Sequence, residues 1–433
     1  MTNQAAGTNF HRNLVTRSVR CCIAGGGPAG MMLGFLLARA GVHVLILEKH
    51  GDFLRDFRGD TIHPSTLEVM HELGLLPQLL QLPHQEAREI GAQIGDARFT
   101  FADFTHLPTR CKFIAFMPQW DFLDFLARQA AHYPGFDLRM RTEAVDLIEE
   151  FGRVVGVRAQ APDGPLEIRA DLVVAADGRT SILREKAGLQ AQELGAPMDV
   201  LWFRLATRPG DPEQTMARFE AGQIFIMIYR GEHWQCGYVI PKGSMEQLQA
   251  RGLNAFRADI AKLAPFARDR AAELASWDDV KLLTVRVDRL REWYRPGFLC
   301  IGDAAHAMSP IGGVGINLAI QDAVATANYI SEALRKGTLN VDRLKAVQRR
   351  RELPTRVTQR FQVVIQKRVI SRVLGRIGEL DPPFAVRMLT RFSILQRIPA
   401  RLIGIGIRPE RVTTRATAVS TQPQESADLG SAR

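Results

Sequence analysis

GDAAHAMSPIGGVGINLAIQDA, residues 302–323, is the segment that most clearly indicates the fold of this chain. It follows a short apolar run, residues 298–301, that predicts a buried strand. It leads into a helical pattern, residues 318–334, that Gly337 ends. The stretch therefore predicts a strand, a loop and a helix N-terminus in succession. Free backbone N–H groups and the positive end of the helix dipole favour negative charge at such a place.

Polar and small residues in this stretch predict a binding loop for a flat ligand. Asp303 follows the strand, where its carboxylate can bind a ligand hydroxyl. Gly312, Gly313 and Gly315 lack side chains and let the backbone approach a ring closely, while Asn317 lies at the start of the helix. An electron-rich heterocycle bound there would be stabilised when it is reduced to an anion.

Length and composition exclude several classes of protein. The chain has 433 residues, 46% hydrophobic and 24% charged, as expected for a globular protein of two or three domains. It shows neither an apolar run long enough to cross a membrane nor the apolar core of a signal peptide, so the cytoplasm is the expected location. The five cysteines have no metal-ligand spacing, so reduced thiols in the core and no metal site are expected.

A second glycine-rich motif lies in VRCCIAGGGPAGMMLGFLLARAGVHVLILE, residues 19–48. The pattern predicts a strand, a glycine turn, a helix and a second strand that ends in an acidic residue. Glycines in G-x-G-x-x-G spacing admit a pyrophosphate against the backbone, and the acid binds ribose hydroxyls. The residues expected to form this dinucleotide site are Gly25, Gly27, Pro28, Ala29, Gly30, Glu48 and Lys49.

A third motif, DLVVAADGRTSILR at residues 171–184, places Asp177 and Gly178 at the end of an apolar run, before Ser181 and Arg184. The chain thus carries G-x-G-x-x-G, D-G-x-x-S-x-x-R and G-D-A-A-H in that order. In these motifs and their wide spacing, it resembles the flavoprotein aromatic monooxygenases related to p-hydroxybenzoate hydroxylase. The resemblance extends over most of the chain and implies FAD as the cofactor.

The resemblance implies an α/β fold: a Rossmann-like FAD-binding domain of the p-hydroxybenzoate hydroxylase type, an inserted, mainly antiparallel β-sheet domain for the substrate, and C-terminal helices. Short apolar runs between residues 200 and 240 and a strand pair near residues 90–104 would form that sheet and roof the flavin. The expected division is residues 1–80, 105–185 and 280–340 for the FAD domain, 81–104 and 186–279 for the sheet domain, 341–411 for the helices and 412–433 for a disordered tail. Which large side chains of the sheet face the pocket stays open for Trp202, Phe203, Phe225, Met227, Tyr229 and Trp234.

Roles for single residues follow from the same resemblance. Glu48 would bind the adenosine ribose, Asp303 the ribityl chain or the neighbouring phosphate, and Pro310 would lie beside the isoalloxazine. In the motif that begins at Gly302, the backbone N–H groups of residues 312–317 would face the N1 and O2 edge of the ring. That run contains Gly312, Gly313, Gly315, Ile316 and Asn317.

Two further positions match the family less closely. Gln119 matches a family glutamine that lies near the ribityl chain, and Arg58 falls in the segment where the family has a flavin-contacting arginine. A helix-capping amide and a solvated surface arginine are the structural alternatives. In the family, the group of Asp177, Gly178 and Arg184 is associated with FAD phosphate and with the reduced nicotinamide cofactor.

The activity implied by the resemblance is that of a monooxygenase. NADH or NADPH would reduce FAD, a flavin C4a-hydroperoxide would form, and a small aromatic, polyketide-like or quinone-precursor substrate would be hydroxylated. No second nucleotide fingerprint is found, so the nicotinamide would bind transiently. No catalytic base is assigned: His306 is interpreted as a structural hydrogen-bonding residue, and His63, Tyr229 and Arg204 are weaker candidates.

Other functions of this fold stay open. A flavin-dependent reductase, such as one that saturates isoprenoid double bonds, is the alternative enzyme. A flavin-carrying sensor without turnover is the alternative outside catalysis. A halogenase is less expected, because CGYVIP at residues 236–241 has Cys236 and Tyr238 where the W-x-W-x-I-P signature of halogenases has tryptophans.

The net charge of +10 is concentrated in the C-terminal part, where residues 343–376 combine many arginines with apolar residues at near-helical spacing. A solvated helix with its apolar face on the FAD domain is the favoured interpretation. Peripheral contact with an anionic membrane and attraction of an acidic substrate or NADPH phosphate are the alternatives. The segment lacks interleaved aromatic residues, so no nucleic acid is expected as a partner. Both a monomer and a homodimer remain open.

Overall fold

The computed structural model describes residues 15–54, 61–95, 97–213, 215–376 and 384–417. The predicted flavin contact Arg58 lies outside these residues. The strands are β1 (Val15–Ala24), β2 (Val44–Leu47), β3 (Thr61–Ile62), β4 (Gln85–Ala87), β5 (Glu89–Ile94), β6 (Ala97–Asp103), β7 (Ile114–Phe116), β8 (Phe136–Arg139), β9 (Glu143–Glu150), β10 (Arg153–Ala161), β11 (Gly164–Ala175), β12 (Ala191–Glu193), β13 (Met198–Ala206), β14 (Met216–Glu220), β15 (Gln223–Tyr229), β16 (His233–Pro241), β17 (Lys281–Leu283), β18 (Asp288–Leu290), β19 (Tyr294–Arg295) and β20 (Phe298–Cys300).

The α-helices follow the same chain order. They are α1 (Pro28–Arg39), α2 (Pro64–Glu72), α3 (Leu76–Leu79), α4 (Gln119–Ala130), α5 (Ile182–Lys186), α6 (Met245–Ala250), α7 (Leu253–Leu263), α8 (Gly315–Lys336), α9 (Val341–Ile365), α10 (Ser371–Leu374), α11 (Phe384–Arg391) and α12 (Ser393–Gly404). A π-helical turn, Gln366–Ile370, joins α9 to α10. None of the described helices is long and apolar enough to cross a membrane.

The first layer is a β-sheet with a parallel centre. Its strand order is β19-β20-β11-β1-β2-β8, and the pairs from β20 to β8 are all parallel. Strands β9 and β10 extend β11 in antiparallel fashion. The end of β1 is buried from Cys21 to Ala24, since helices and neighbouring segments cover both faces of a parallel sheet. The α/β, Rossmann-like fold expected from the sequence is confirmed.

Helix ends in this layer follow from local sequence. Helix α1 has Pro28 at its first turn, where the missing N–H of proline costs nothing. Helix α8 ends at Gly337 in the left-handed conformation with φ of 68°, as the sequence predicted. Its start lies at Gly315, three residues before the predicted start, because the glycine-rich loop already turns into the helix there.

The second layer is a seven-stranded sheet of order β17-β13-β16-β15-β14-β5-β6. It is antiparallel apart from the β14–β5 pair, which is parallel. One face packs on α7 through a cluster that includes Phe203, Phe225, Trp234 and Phe256. The opposite face is turned towards the first layer. Apart from β17, its strands come from the segments assigned to the sheet domain; the domain boundaries themselves stay a prediction.

The C-terminal segment returns to the first layer. Residues 412–417 were expected to be disordered, but they run along α1, α2 and α8 and form hydrogen bonds there. The Val412 amide donates to Glu72 Oε2 (2.7 Å), the Thr413 amide to Asn328 Oδ1 (2.9 Å) and the Thr417 amide to the Arg39 carbonyl (2.9 Å). These backbone bonds hold a segment whose composition is polar. Residues 418–433 lie outside the described chain.

All five cysteines are buried and free of disulfides. Burial raises the pKa of the Cys22 thiol to about 12, so this thiol is protonated and unreactive at neutral pH. The interpretation of Cys21, Cys22 and Cys300 as small apolar core residues is confirmed, since each is fully buried in the main core.

Candidate active site

A cavity of about 2030 Å³ lies between the two layers. Loops with all three sequence motifs line one part of it, and the inner face of the second sheet, α9, α11 and α12 line the rest. Of the predicted site residues, those lining the cavity are Gly25, Gly27, Pro28, Ala29, Glu48, Lys49, Gln119, Asp177, Gly178, Asp303, Pro310, Gly312, Gly313, Gly315 and Ile316. Gly30, Arg184, Gly302 and Asn317 lie behind this lining, and their contacts support it.

The turn between β1 and α1 requires glycine at two places. Gly25 has φ of 104°, and a Cβ there would lie 2.3 Å from the carbonyl oxygen of Ala176. A Cβ at Gly30 would lie 1.9 Å from the Gly25 carbonyl oxygen, so the close contact of helix and turn excludes every larger residue. The first motif therefore brings the start of α1 to the edge of the cavity.

Glu48 fixes the shape of this turn from the end of β2. Its Oε2 accepts from the Gly26 amide (2.8 Å) and its Oε1 from the His50 amide (3.0 Å). Helix α1 has no side-chain cap. Its first N–H groups are therefore available to an anion at the positive end of the helix dipole.

The second and third motifs are joined by arginines. Arg179 Nη2 lies 3.3 Å from Asp303 Oδ2, and Arg184 Nη1 donates to the Ala304 carbonyl (3.2 Å). Burial raises the pKa of Asp177, an effect that hydrogen bonds from Ser181 and from backbone amides oppose. Among the described residues, neither Asp177 Oδ1 nor Arg179 Nε has a hydrogen-bond partner, although both atoms are buried.

Asn317 holds the glycine loop rather than facing the cavity. Its Oδ1 accepts from the His63 amide (2.8 Å) and the Thr66 hydroxyl (2.7 Å), and its Nδ2 donates to the Thr61 carbonyl (3.2 Å). The Thr61 hydroxyl donates to the Gly313 carbonyl (2.8 Å). The start of α8 and the glycine loop are therefore tied to β3 and α2 by these side chains.

The lining fits a flavin dinucleotide. A Cβ placed on Gly27, Gly178 or Gly315 would meet no other atom within 4 Å, so one backbone position of each motif opens onto the cavity. Both α1 and α8 begin there without a side-chain cap. These helix N-termini match a pyrophosphate and the electron-accepting edge of a flavin ring, and the unsatisfied Asp177 and Arg179 atoms match its polar groups.

His306 belongs to a buried network behind this lining. Its Nε2 lies 2.6 Å from Asp322 Oδ2, and Arg351 Nε donates to Asp322 Oδ1 (3.0 Å). Arg351 Nη1 continues to Glu410 Oε1 (3.2 Å). Burial alone would raise the pKa of Asp322, but the charges and hydrogen bonds of His306 and Arg351 lower it. These contacts support the interpretation of His306 as a structural residue, and it does not line the cavity.

The weaker candidates for a catalytic base lie elsewhere as well. His63 is fully buried, and its Nδ1 donates to the Ile403 carbonyl (2.8 Å). Tyr229 contacts Trp234 edge to face, with ring centroids 5.2 Å apart, on the α7 side of the sheet. Arg204 is exposed, and neither it nor Tyr229 or His63 lines the cavity.

Strand alternation settles which side chains of the second sheet face the cavity. Of the six large residues left open by the sequence, Trp202 alone lines it. The sheet residues around it are Val200, Ile224, Ile226, Ile228, Gln235 and Val239. Cys236 and Tyr238 belong to the opposite face, in the cluster with Phe256. The segment that aligns with the halogenase signature thus keeps these two side chains out of the cavity.

Three glutamines of α9 and the π turn form a part of the site that the sequence analysis missed. Gln362 Nε2 donates to the Ser309 and Ile311 carbonyls (2.9 and 2.8 Å), and its Oε1 accepts from the Ser309 amide (3.1 Å). Gln359 Nε2 donates to the Ala307 carbonyl (3.2 Å), and Gln366 Nε2 to the Ser309 hydroxyl (2.7 Å). Their spacing of three and four residues places them on one helix face. In the sequence, the many arginines of the same segment obscure this signal.

Comparison with known proteins agrees with this geometry. The chain matches the family model of the FAD binding domain over residues 18–361. It is 33% identical over 385 residues to 6-methylpretetramide 4-monooxygenase from Streptomyces rimosus, covering 87% of this chain and 91% of that protein. It is 26% identical to dialkyldecalin synthase from Streptomyces rugosporus, covering 88% of this chain and 78% of that protein.

A solved structure described as a probable FAD-dependent monooxygenase, PqsL from Pseudomonas aeruginosa, shares the fold. Its TM-score is 0.70 at 20% identity, over 83% of this chain and 98% of that one. The family match covers all three motifs that meet at the cavity. The chain therefore belongs to the FAD binding domain family, among the FAD-dependent aromatic monooxygenases related to p-hydroxybenzoate hydroxylase.

Proposed function

We propose that this monooxygenase hydroxylates a polycyclic aromatic, polyketide-like substrate and consumes NADH or NADPH as the reductant. The observation that carries the proposal is the wide apolar compartment that continues from the motif-lined part of the cavity. The similarity of the chain to 6-methylpretetramide 4-monooxygenase supports the same substrate class.

The residues that would hold FAD come from all three motifs. The N-terminus of α1 would bind the pyrophosphate, Glu48 the adenosine ribose, and Asp303 the ribityl side. The N-terminus of α8 would contact the ring edge that gains negative charge on reduction, since its first residues line the cavity and no side chain caps it. When bound, FAD supplies the electron transfer and the activation of oxygen.

Apolar side chains would hold the substrate in a dry compartment. Ile224, Ile226 and Ile228 line it from the sheet, and Phe361 and Ile365 line it from α9. Such a wall excludes water, limits side reactions of reactive intermediates and packs well against a flat ring system.

A small number of polar groups would orient the substrate within this wall. Gln235 is 7% exposed, lines the cavity, and accepts a hydrogen bond from Arg230 Nε (3.1 Å). Its amide can bind a phenol or carbonyl oxygen of the substrate. No group is assigned as a catalytic base, and the protein's contribution is orientation and exclusion of water.

The position of the basic helix favours a role at the cavity over adsorption to a membrane. Phe361, Ile365 and Val369 were expected on an apolar helix face, and they line the cavity. The buried face of α9 instead contains Gln359 and Gln362. Peripheral membrane contact is therefore the less favoured alternative.

Anaerobic flavin reduction tests this proposal and separates it from its alternatives. FAD-loaded enzyme is mixed with NADH or NADPH in the presence and absence of aromatic polyketides of one to four rings. We expect faster bleaching of the flavin with the larger substrates, followed by hydroxylated product when oxygen is admitted. Reduction of the substrate itself without oxygen would show a reductase, and no bleaching with any partner would favour a sensor or a cyclase, as the similarity to dialkyldecalin synthase allows.

A further inference from the structure

The cavity wall changes character along the C-terminal helical segment. Phe361 and Ile365 of α9 present apolar side chains to the cavity. Further along the chain, Arg368, Arg372 and Arg376 line the same cavity. We call these three residues the arginine row. An apolar compartment next to the flavin loop thus gives way to a cationic margin.

Among the residues that the structure describes, no acidic side chain pairs with the arginine row. Its members are exposed, and within the described chain none of their guanidinium groups forms an ion pair or hydrogen bond. Other arginines at the cavity are paired, as Arg88 is with Glu86 (2.6 Å) and Arg179 with Asp303 (3.3 Å). Neighbouring cations repel each other, so a bound anion would stabilise the row.

The segment that carries the arginine row is held in place by contacts with the flavin loop and the second sheet. Arg368 lies in the π-helical turn, between Gln366 and Ile370, which are buried against the loop and the sheet. The Gly222 amide donates to the Val373 carbonyl (2.9 Å) and anchors α10 to the turn between β14 and β15. Single π turns occur often at functional sites, and this one contains Arg368.

We propose that the arginine row binds the phosphate groups of the reduced nicotinamide dinucleotide, an inference that rests on the proposed use of NADH or NADPH. The sequence contains one G-x-G-x-x-G turn, and FAD is expected to take it. A dinucleotide that binds transiently therefore needs another binding site for its phosphates. Arginine suits this role, because its planar guanidinium forms paired hydrogen bonds with phosphate oxygens.

The number and exposure of the arginines favour a phosphate-rich ligand over a substrate carboxylate. A pyrophosphate carries two charges, and Arg368 and Arg372 are spaced about 6 Å apart along the helix axis. A carboxylate of an enclosed aromatic substrate would instead require a buried cation, because an unpaired charge is costly in an apolar wall. Exposed cations at the margin suit a ligand that enters and leaves in each cycle.

The test compares FAD-loaded wild type with R368Q, R372Q, R376Q and the triple variant. R360Q is the matched control, because Arg360 is an exposed residue of α9 that does not line the cavity. Binding of ADP-ribose and 2′-phospho-ADP-ribose is measured by calorimetry, which needs no flavin reduction. The apparent Kd for NADH and NADPH and the limiting rate of flavin reduction are measured by anaerobic stopped flow.

We expect the triple variant to bind both dinucleotides and their ADP-ribose analogues about tenfold more weakly or worse, as for loss of charge-assisted phosphate contacts. The limiting reduction rate should stay unchanged, and R360Q should match wild type. A loss limited to the 2′-phosphorylated ligands also supports the proposal and assigns the row to that phosphate. The single variants give smaller losses if the triple variant does not fold.

Three results would overturn the inference. Unchanged dinucleotide affinity in the triple variant is the first. The second is a loss of affinity for the aromatic substrate alone, which would assign the row to the substrate. If NADH and NADPH do not reduce the flavin of the wild type, the proposed reductant is wrong. Phosphate recognition by the arginine row would still be supported if wild type binds ADP-ribose and the triple variant does not. Absence of ADP-ribose binding in wild type would refute phosphate recognition.

Discussion

Asp303 is the single side chain on which the flavin site depends most. It lines the cavity, is 29% exposed, and lies 3.3 Å from Arg179 Nη2, so it links the third motif to the second. Asp303→Ala removes the carboxylate expected to hold the ribityl side and leaves Arg179 without its partner. We expect at least about tenfold weaker FAD binding, measured by flavin fluorescence on apoprotein.

The matched control for this change is Glu332→Ala. Glu332 is an exposed acid of α8, paired with Lys336 (2.7 Å) on the helix surface away from the cavity. Its loss should leave the FAD content of the purified protein at the wild-type level. Wild-type FAD content in Asp303→Ala as well would show that the site is misplaced.

His63 makes the stability of the protein sensitive to mild acid. Burial lowers its pKa from 6.5 to about 4, and the hydrogen bond to the Ile403 carbonyl opposes this only in part. The unfolded chain therefore takes up a proton below pH 6.5 that the folded protein excludes until about pH 4. The stabilising contribution is complete above pH 6.5 and is lost as the pH falls towards 4, amounting to about 2 kcal/mol between pH 7 and 4.5.

His63→Asn keeps a donor for the Ile403 carbonyl but cannot titrate. Urea unfolding at pH 7 and 4.5 should show that this variant loses about 2 kcal/mol less stability on acidification than wild type does. The exposed His132→Asn serves as control and should follow wild type. If His63→Asn and wild type lose equal stability between the two pH values, His63 does not titrate as described.

At the scale of single elements, α9 acts as a support for the flavin loop. Gln362 makes three hydrogen bonds to the backbone of Ser309 and Ile311, directly before Gly312. Gln362→Leu keeps the volume but leaves those backbone groups unpaired, which should cost about 2 kcal/mol or more in stability. Because the loop loses its support, the Kd for FAD should also rise several-fold.

Gln348→Leu is the control that separates a local from a general effect. Gln348 is another buried amide of α9, and it bonds the Trp293 amide (3.0 Å) and the Arg291 carbonyl (2.9 Å), away from the flavin loop. We expect a comparable loss in urea unfolding with an unchanged Kd for FAD. If both substitutions change the Kd for FAD equally, Gln362 does not specifically position the flavin loop.

Neighbouring residues of β15 lie on opposite faces of the second sheet, so we expect their substitution to affect activity differently. Ile226 lines the cavity, whereas Met227 packs in the cluster under α7. Ile226→Trp should fill substrate space and lower kcat/KM for a polycyclic substrate by about tenfold or more while FAD stays bound. Met227→Leu conserves volume on the other face and should leave kcat/KM unchanged. Equal kcat/KM in Ile226→Trp and wild type would place the substrate elsewhere.

The elements of the FAD site could be predicted because their determinants are local. The glycine turn at residues 25–30 and the loop at 302–317 encode their geometry in consecutive residues, and the strands and helices around them follow from apolar periodicity. The faces of the second sheet could not be assigned. Alternation gives two faces to β13 and β15, but only the position of α7 shows which face is covered.

At the scale of the whole molecule, the site joins segments that are far apart in the chain. Residues near 25, 177 and 303 meet at one cavity, and the segment ending at residue 417 returns to α1. Sequence motifs identified the first three because the resemblance supplied their common ligand. Some contacts depend on tertiary structure alone, and no local sequence pattern predicts them. They are the contacts of Gln359, Glu410 and residues 412–417.

The enzyme is expected to transfer one atom of dioxygen to an aromatic substrate that is bound in the assembled cavity. The most direct measurement is turnover of FAD-loaded enzyme with NADH or NADPH and ¹⁸O₂, using the aromatic polyketide that most accelerates flavin reduction, followed by mass spectrometry of the product. We expect a product that is heavier by a single ¹⁸O atom. A product of unchanged mass, one with two added hydrogens, or one whose new oxygen comes from water would contradict it.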